Sequence, residues 1–342
     1  MLTEKDYKAI RKELDECQRP LFLFDDDPDG LSSFLLFYRY KREGKGIIVK
    51  THPKLDTSLI PKVEEYEPDK IFILDVPVVE QEFIDQCKRP VIWVDHHTPS
   101  QLNGVKYFNP RVSTPDEHEP TSSLCYNVVK QDLWLAAAGT IGDWFILPLL
   151  DDFKKEYPKL LPKEYKQAPD VLFNSKLGTL IRIFSFILKG TTHDAMKYIK
   201  VLTRVADPME ILDQQTAQGK FVYKRFEKIN RKYEDLLEAA IAQNKKGEYL
   251  IYTYEADKMS FSSDLSNELI YRYPEKIIFV GRKKAGFVKG SVRSAKKVIS
   301  TVLEKALVGI EGYGGGHELA CGFCVNEEDF DRFVENFKRE ND

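Results

Sequence analysis

Short apolar runs alternate with amphipathic stretches along the first 150 residues of the chain. The apolar runs predict buried strands, and the stretches between them predict helices. Because strand and helix alternate regularly, we predict an α/β domain with a doubly wound parallel sheet over residues 1–150. Its strands follow the runs at 21–24, 47–51, 70–75 and 90–94. In such a sheet, ligands collect beyond the carboxyl ends of the strands.

The pattern changes twice further along the chain. Residues 151–245 lack a strand pattern, and amphipathic patterns at 177–188, 193–205 and 209–244 predict a helical connector. Strands and helices then alternate again, which predicts a smaller α/β domain over residues 246–342.

Composition narrows the class of protein. Of 342 residues, 31% are charged and 42% hydrophobic, and no apolar run approaches the about 20 residues of a membrane helix. We expect a soluble protein, and polar first residues without the apolar core of a signal peptide favour the cytoplasm. Five cysteines, an odd number, favour reduced and buried thiols. Cys321 and Cys324 form a CxxC motif without a second cysteine or histidine pair, so a zinc or redox role is the less favoured interpretation.

Charge is distributed unevenly. The net charge of −3 argues against indiscriminate polyanion binding by the whole surface. Residues 276–303, however, contain no acid and eight basic residues, namely Lys276, Arg282, Lys283, Lys284, Lys289, Arg293, Lys296 and Lys297. Such a run is commonly a solvated face. The interleaved Gly286, Phe287 and Gly290 also suit a groove that follows a phosphate backbone.

An acidic turn follows the first predicted strand. Its carboxylates are Asp25, Asp26, Asp27 and Asp29. At low dielectric they would repel one another strongly unless cations neutralise them. Alternate residues share a face, so Asp26 points away from the other three. We expect Gly30 to allow a sharp turn and Ser32 or Ser33 to open the next helix. The alternative is a solvated acidic turn with a serine cap.

Further ligand types follow later strands. Asp75 ends the third predicted strand, Asp95, His96 and His97 follow the fourth, and Asp143 follows an alanine-rich helix. Asp143 can equally be a helix cap. Carboxylates with one or two histidines, without cysteine, suit two Mn²⁺ or Mg²⁺ ions sharing a carboxylate. Such a pair predicts a phosphoesterase, with the remaining histidine facing the substrate.

The C-terminal region contains a second candidate site. A glycine-rich segment at 312–318, read as a loop, includes Gly314, Gly315 and Gly316 and is followed by His317. Its backbone can approach a ligand closely and His317 can donate to a phosphate. The nearby Ser291 and Arg293 strengthen the prediction of anion binding.

Together these motifs resemble the DHH phosphoesterase superfamily with its DHH-associated domain. They occur in the family's order and at similar spacing over nearly the whole chain. The resemblance implies Mn²⁺-dependent phosphodiester hydrolysis in a cleft between the two α/β domains. Many members have His where this chain has Asp25. Bacterial RecJ nucleases also have Asp there, so the chain looks like a RecJ-like nuclease, similar in size to archaeal RecJ-like exonucleases, rather than a family II pyrophosphatase.

Residue roles follow from this resemblance. The first ion would be held by Asp25, Asp27 and Asp75, and the second by Asp29, Asp75, His96 and Asp143. His97 would face the scissile phosphate, with Asp95 orienting its neighbours. Substrate phosphate would be held by Ser291, Arg293, Gly314, Gly315, Gly316 and His317.

The expected function is an exonuclease on single-stranded DNA or RNA that releases nucleoside monophosphates in repair or replication. A first alternative is a nanoRNase or a cyclic-dinucleotide or pAp phosphodiesterase acting on short substrates. A second is a non-catalytic replication scaffold, which the complete ligand set disfavours. A helicase partner is implied only by the resemblance.

Overall fold

In the computed structural model, residues 2–50, 54–255 and 259–341 are described. The chain forms two compact units, residues 1–226 and 227–342. This division lies inside the predicted connector, within a long helix that contributes to both units.

Unit 1 contains a five-stranded sheet in which every neighbouring pair is parallel, in the order β2-β1-β3-β4-β5. The strands are β1 Pro20–Asp25, β2 Lys45–Val49, β3 Lys70–Leu74, β4 Val91–Val94 and β5 Val105–Phe108. The predicted parallel sheet is therefore confirmed. Strand β5 was not predicted, because it is short and half-exposed and its apolar signal is therefore weak.

Helices cover both faces of this sheet. The helices before the connector are α1 Glu4–Glu16, α2 Pro28–Lys41, α3 Ile60–Tyr66, α4 Gln81–Cys87, α5 Thr121–Val129 and α6 Leu133–Gly142. Leu21 and Leu23 of β1 pack in the core beneath α3 and α4. Phe22 and Phe24 face the opposite side and contact Phe34 of α2. This alternation along one strand buries both faces.

The connector region is helical, as expected. Its helices are α7 Leu149–Glu156, α8 Ala168–Asn174, α9 Lys176–Leu188, α10 Thr192–Leu202, α11 Pro208–Leu212 and α12 Ala217–Ala242. The single helix predicted over 209–244 is wrong, because α11 ends before Gln214, which has a left-handed backbone (φ 53°). Among the described helices none is by itself long and apolar enough to cross a bilayer; α8 and α9, bent by 85°, pass that test only as a pair.

Unit 2 has a mixed five-stranded sheet in the order β6-β7-β8-β10-β9, in which only β6 and β7 pair in parallel. Its strands are β6 Tyr249–Glu255, β7 Ile277–Lys284, β8 Phe287–Ser294, β9 Gly312–His317 and β10 Ala320–Asn326. Its further helices are α13 Ser262–Arg272, α14 Ser300–Ala306 and α15 Phe330–Asn341. One face of the sheet packs on α14 and α15 around Phe279 and Phe323.

The glycine-rich segment predicted as a loop is the edge strand β9, paired along its length with β10. Glycine has low strand propensity and shows no apolar alternation, so sequence pattern alone favoured a loop.

Candidate functional site

The acidic residues of unit 1 follow neighbouring parallel strands. Asp25 ends β1, Asp75 follows β3, and Asp95, His96 and His97 follow β4. Because these strands are parallel and adjacent, their carboxyl ends meet at one edge of the sheet. Asp143 caps the C-terminus of α6.

His96 lies at the centre of this edge. Its Nε2 atom is 3.4 Å from Asp75 Oδ1 and 3.5 Å from Asp143 Oδ2. Among the described residues, two groups offer ligand atoms that lie within 4.8 Å of one another: Asp75 with His96 and His97, and Asp29 with His96 and Asp143. The geometry thus brings together Asp29, Asp75, His96, His97 and Asp143.

The carboxyl groups of this edge favour a proton or a cation. Burial, then the charges of Asp27 and Asp26, raises the pKa of Asp25 to about 8. Burial and Asp29 raise the pKa of Asp27 to about 6 and that of Asp143 to about 9. Burial, followed by the charges of Asp29 and Asp27, holds the pKa of Asp75 well above its usual value. Chiefly through burial, the pKa of His96 is lowered, which favours the neutral, metal-ligating form.

An unpaired atom gives an independent test of whether a divalent ion fits. Asp143 Oδ2, which faces His96 Nε2, is buried and has no hydrogen-bond partner within the described part of the chain. Buried polar atoms are rarely left unpaired. Oxygen and imidazole ligands of this kind suit Mn²⁺ or Mg²⁺. The residues present therefore fit a divalent metal centre.

The acidic turn differs from expectation in how it opens α2. Asp27, and neither Ser32 nor Ser33, is the N-cap, and its carboxylate accepts a hydrogen bond of 2.9 Å from Gly30 N–H. Both serines are buried inside α2. Gly30 lies within the helix rather than at a sharp turn. It is needed because a Cβ there would lie 2.7 Å from the carbonyl oxygen of Asp25.

Asp29 has a role that sequence analysis missed. Its two carboxylate oxygens accept hydrogen bonds from the N–H groups of Thr121 (2.8 Å) and Ser122 (3.0 Å). Asp29 thus caps α5 from a distant part of the chain. The Thr121 hydroxyl donates to Asp75 Oδ1 at 3.0 Å. No local signal identifies either contact.

Asp95 is fully buried and holds His97 in place. Asp95 Oδ1 accepts from His97 Nδ1–H at 2.7 Å, and Oδ2 accepts from the backbone N–H of His97 at 3.1 Å. Tyr107 and Asn109, at the end of β5, also donate to Asp95 Oδ2. Burial alone lowers the pKa of His97, but the hydrogen bond and charge of Asp95 outweigh it, so the net pKa is raised. Sequence analysis missed Tyr107 and Asn109 because it missed β5.

Asp26 is exposed and lies 3.5 Å from Lys50 Nζ. It has no part in either group of ligand atoms.

The register of strands β8, β9 and β10 decides which candidate phosphate-binding residues of unit 2 lie side by side. Ala320 of β10 pairs with Arg293 of β8 and His317 of β9, and Gly322 pairs with Ser291 and Gly315. Alternation along each strand puts Ser291, Arg293, Gly315 and His317 on the face opposite the apolar core. The Arg293 side chain donates to Asn267 Oδ1 of α13 at 2.8 Å, and burial lowers its pKa.

Gly314 and Gly316 lie on the opposite face of β9 from Gly315 and His317, because successive residues of a strand face opposite sides of the sheet. A Cβ at Gly314 would lie 2.8 Å from the Gly322 carbonyl oxygen, and one at Gly316 would lie 2.4 Å from that of Ala320. A Cβ at Gly315 would meet no atom of the described residues within 4 Å. Close packing thus explains Gly314 and Gly316, while Gly315 keeps an exposed surface open.

The two cysteines of the CxxC motif lie on opposite faces of strand β10. Cys321 lies in the core, and Cys324, three positions on along β10, lies on the opposite face, so the two thiols do not form a chelating pair.

The basic run is not a continuous free surface. Lys276 donates to the Lys245 carbonyl oxygen, Lys283 pairs with Glu327, and Lys297 pairs with Glu248.

Two family models match separate parts of the chain. Residues 22–145 match the DHH family, N-terminal domain, and residues 247–341 match the DHHA1 domain. A search of curated protein sequences found no significant match.

Solved structures are similar over nearly the whole chain. RecJ from Thermus thermophilus in complex with Mn²⁺ has a TM-score of 0.71 and 19% identity, over 98% of this chain and 54% of RecJ. This chain therefore spans about half the length of that protein. An exonuclease RecJ bound to manganese has a TM-score of 0.66 and 18% identity, over 98% of this chain and 93% of the other.

A third similar structure is the pGpG-specific phosphodiesterase PggH from Vibrio cholerae. Its TM-score is 0.51 at 16% identity, over 95% of this chain and 99% of PggH. At these identities the similarity establishes a shared, RecJ-like two-domain fold.

Proposed function

The chain belongs to the DHH superfamily of metal-dependent phosphoesterases, and from this premise we propose that it is a Mn²⁺-dependent exonuclease on single-stranded DNA or RNA. It would release nucleoside monophosphates, act in repair or replication, and work in the cytoplasm. The observation that carries the proposal is the convergence of Asp75 and Asp143 on His96 Nε2, with the buried Asp143 Oδ2 left without a hydrogen-bond partner among the described residues.

The proposed ligands are those expected from the sequence: Asp25, Asp27, Asp29, Asp75, His96 and Asp143. When bound, divalent ions lower the pKa of a water and neutralise charge on phosphate oxygens. Thr121 fixes the orientation of Asp75, and the N-terminus of α5 fixes Asp29. These contacts hold the carboxylates in place before substrate arrives.

His97 and Asp95 would act together on the scissile phosphate. Asp95 fixes the Nδ1–H tautomer of His97, which leaves Nε2 directed away from Asp95. The raised pKa of His97 favours a protonated ring that can donate to a developing negative charge.

In unit 2, we propose that Ser291, Arg293, Gly315 and His317 bind phosphates of the substrate. Their position on one face of the sheet supports this role. Gly314 and Gly316 would contribute by allowing β9 to pack closely on β10.

The test is digestion of end-labelled single-stranded DNA and RNA with Mn²⁺ or Mg²⁺, followed on a gel. We expect Mn²⁺-dependent loss of terminal nucleotides, which Asp75→Asn abolishes. Asp26→Asn, which changes an exposed neighbour outside the cluster, should retain wild-type activity. Activity that persists in Asp75→Asn would overturn the assigned ligands, and a protein inactive under all conditions would favour the non-catalytic scaffold.

A dinucleotide or nanoRNase activity is the second candidate. It is supported by the near-complete coverage of PggH, a pGpG-specific phosphodiesterase. Oligonucleotides of two to twenty units separate the candidates. An exonuclease keeps its rate as length increases, whereas a dinucleotide enzyme loses it.

A helicase partner is also proposed, from the resemblance alone. Co-purification of a helicase with the tagged chain would support it, and its absence from such preparations would count against it.

A further inference from the structure

Helix α6 is terminated by a bulky residue with a left-handed backbone. The N–H of Trp144 donates to the Ile141 carbonyl oxygen and that of Phe145 donates to the Thr140 carbonyl oxygen, both at 3.0 Å. This is the Schellman arrangement, in which the left-handed residue is usually glycine. Here that residue is Trp144, with φ 68°. A bulky side chain in this backbone region is strained.

Trp144 is the most exposed of the three tryptophans. The residue is 41% exposed, whereas Trp93 and Trp134 are 0% and 1% exposed. The next residue but one, Ile146, is also exposed. A large aromatic surface at a strained backbone position is therefore open to a ligand.

Its position is next to the candidate metal centre. Trp144 directly follows Asp143, whose carboxylate lies 3.5 Å from His96. The Phe145 ring is edge-on to His96, with centroids 6.4 Å apart at 85°. Exposed His118 stacks on Phe145, with ring centroids 6.1 Å apart at 20°. Aromatic rings thus extend from the candidate ligand His96 to the protein surface.

The chemistry of these rings favours a base rather than a phosphate. The aromatic residues have acidic neighbours in the sequence: Asp143 precedes Trp144, and Asp116 and Glu117 precede His118. These acids disfavour the binding of an anion such as phosphate beside the rings. Aromatic faces stack on nucleobases without sequence preference, because every base has a π face. A base can stack in this way only after it leaves the duplex.

We propose that Trp144, with Phe145 and His118, forms a stacking subsite for the base next to the scissile phosphate. This inference rests on the proposed function and adds a reason for a single-stranded substrate. The strain at Trp144 is retained because the indole binds substrate.

Trp144→Gly is the informative variant. Glycine relieves the backbone strain, so the melting temperature should stay the same or rise. Loss of one stacked base should weaken binding of a dye-labelled twelve-residue oligothymidylate about tenfold, measured by fluorescence anisotropy in Ca²⁺ with the oligonucleotide checked for cleavage. Trp144→Phe, which keeps an aromatic face, should bind within about threefold of wild type. Ile146→Ala, which removes exposed apolar surface from the same loop, should bind as wild type does.

Two further measurements separate stacking from a general structural effect. Oligothymidylate should quench the tryptophan fluorescence of the wild type, since the other two tryptophans are buried, and should not quench that of Trp144→Gly. An abasic oligomer with the same number of phosphates should bind the wild type and Trp144→Gly equally.

Wild-type affinity in Trp144→Gly, or an abasic oligomer bound by the wild type as tightly as oligothymidylate, would overturn the subsite. If the wild type cleaves oligonucleotides in Mn²⁺ while Trp144→Gly binds normally, only the subsite is wrong. If the wild type neither cleaves nor binds any oligonucleotide, the proposed function fails as well.

Discussion

At the scale of single residues, the candidate site combines burial, charge and backbone strain. Asp75 is 1% exposed and has a left-handed backbone with φ 63°. Asp tolerates this region better than most residues, but the conformation still has a cost. Such positions concentrate at functional sites, where surrounding contacts hold them. For Asp75, the fully buried hydroxyl of Thr121 is one of those contacts.

Thr121→Val should weaken metal binding without unfolding the protein. Valine keeps the shape of threonine and removes the hydrogen bond to Asp75. Loss of a hydrogen bond behind a metal ligand typically costs about 10- to 100-fold in affinity, and we expect about tenfold for Mn²⁺ by titration calorimetry.

Thr140→Val is the matched control for this change. Thr140 is also fully buried, and its hydroxyl has no hydrogen-bond partner in the described residues. Its replacement should leave Mn²⁺ affinity unchanged. Equal affinities in the two variants would show that the Thr121 hydroxyl does not support Asp75.

At the scale of secondary structure, two helix N-termini meet the acidic edge of the sheet. Asp27 caps α2 and Asp29 accepts from the N-terminus of α5. The positive end of each helix dipole partly offsets the carboxylate charge. This arrangement requires α2 to begin immediately against the end of β1, which only glycine permits at position 30.

Gly30→Ala should therefore damage the fold and the site together. The added Cβ would meet backbone atoms of Asp25, which cannot rotate away, so α2 must shift. We expect about 1–3 kcal/mol of destabilisation by urea unfolding, together with weaker Mn²⁺ binding.

Gly315→Ala provides the contrast. A Cβ there would meet no atom within 4 Å in residues 2–50, 54–255 and 259–341, so stability should not change. If Gly315 keeps a surface open for substrate, the same variant should bind oligonucleotide more weakly. An unchanged stability in Gly30→Ala would refute the close-approach explanation.

At the scale of the whole molecule, the acidic edge makes the stability of the metal-free protein depend on pH. The carboxyl groups of Asp25, Asp27 and Asp143 have pKa values of about 8, 6 and 9, above those of an unfolded chain. Between about pH 4 and pH 9, the folded protein consequently binds more protons than the unfolded one. Stability of the metal-free protein should fall as pH rises from about 4 towards 9.

Manganese should oppose this loss. In EDTA, we expect the melting temperature to fall between about pH 5.5 and about pH 8.5. With Mn²⁺ held at about 100 times the dissociation constant that it has at the lower pH, the folded state should gain about 2.7 kcal/mol at that pH. Protons compete less at high pH, so the gain measured by thermal unfolding should be larger at the upper end of this range than at the lower. A gain independent of pH would contradict the assigned pKa values.

Several features could be predicted from local pattern alone. The apolar runs identified four of the parallel strands of unit 1, and the residue types after them identified the candidate ligands. The half-exposed β5 and the glycine-rich β9 could not be predicted in this way, because their residues carry little periodic apolar signal.

By itself, the sequence determined the α/β order of the elements and the acids at their ends, because strand connectivity places those ends together. Only tertiary structure decided how each acid is held. Asp29 meets Thr121 and Ser122 more than 90 residues away, and Asp75 meets Thr121 46 residues away. Strand register alone separated Gly315 from Gly314 and Gly316. Such contacts depend on packing between distant segments, which a local pattern does not contain.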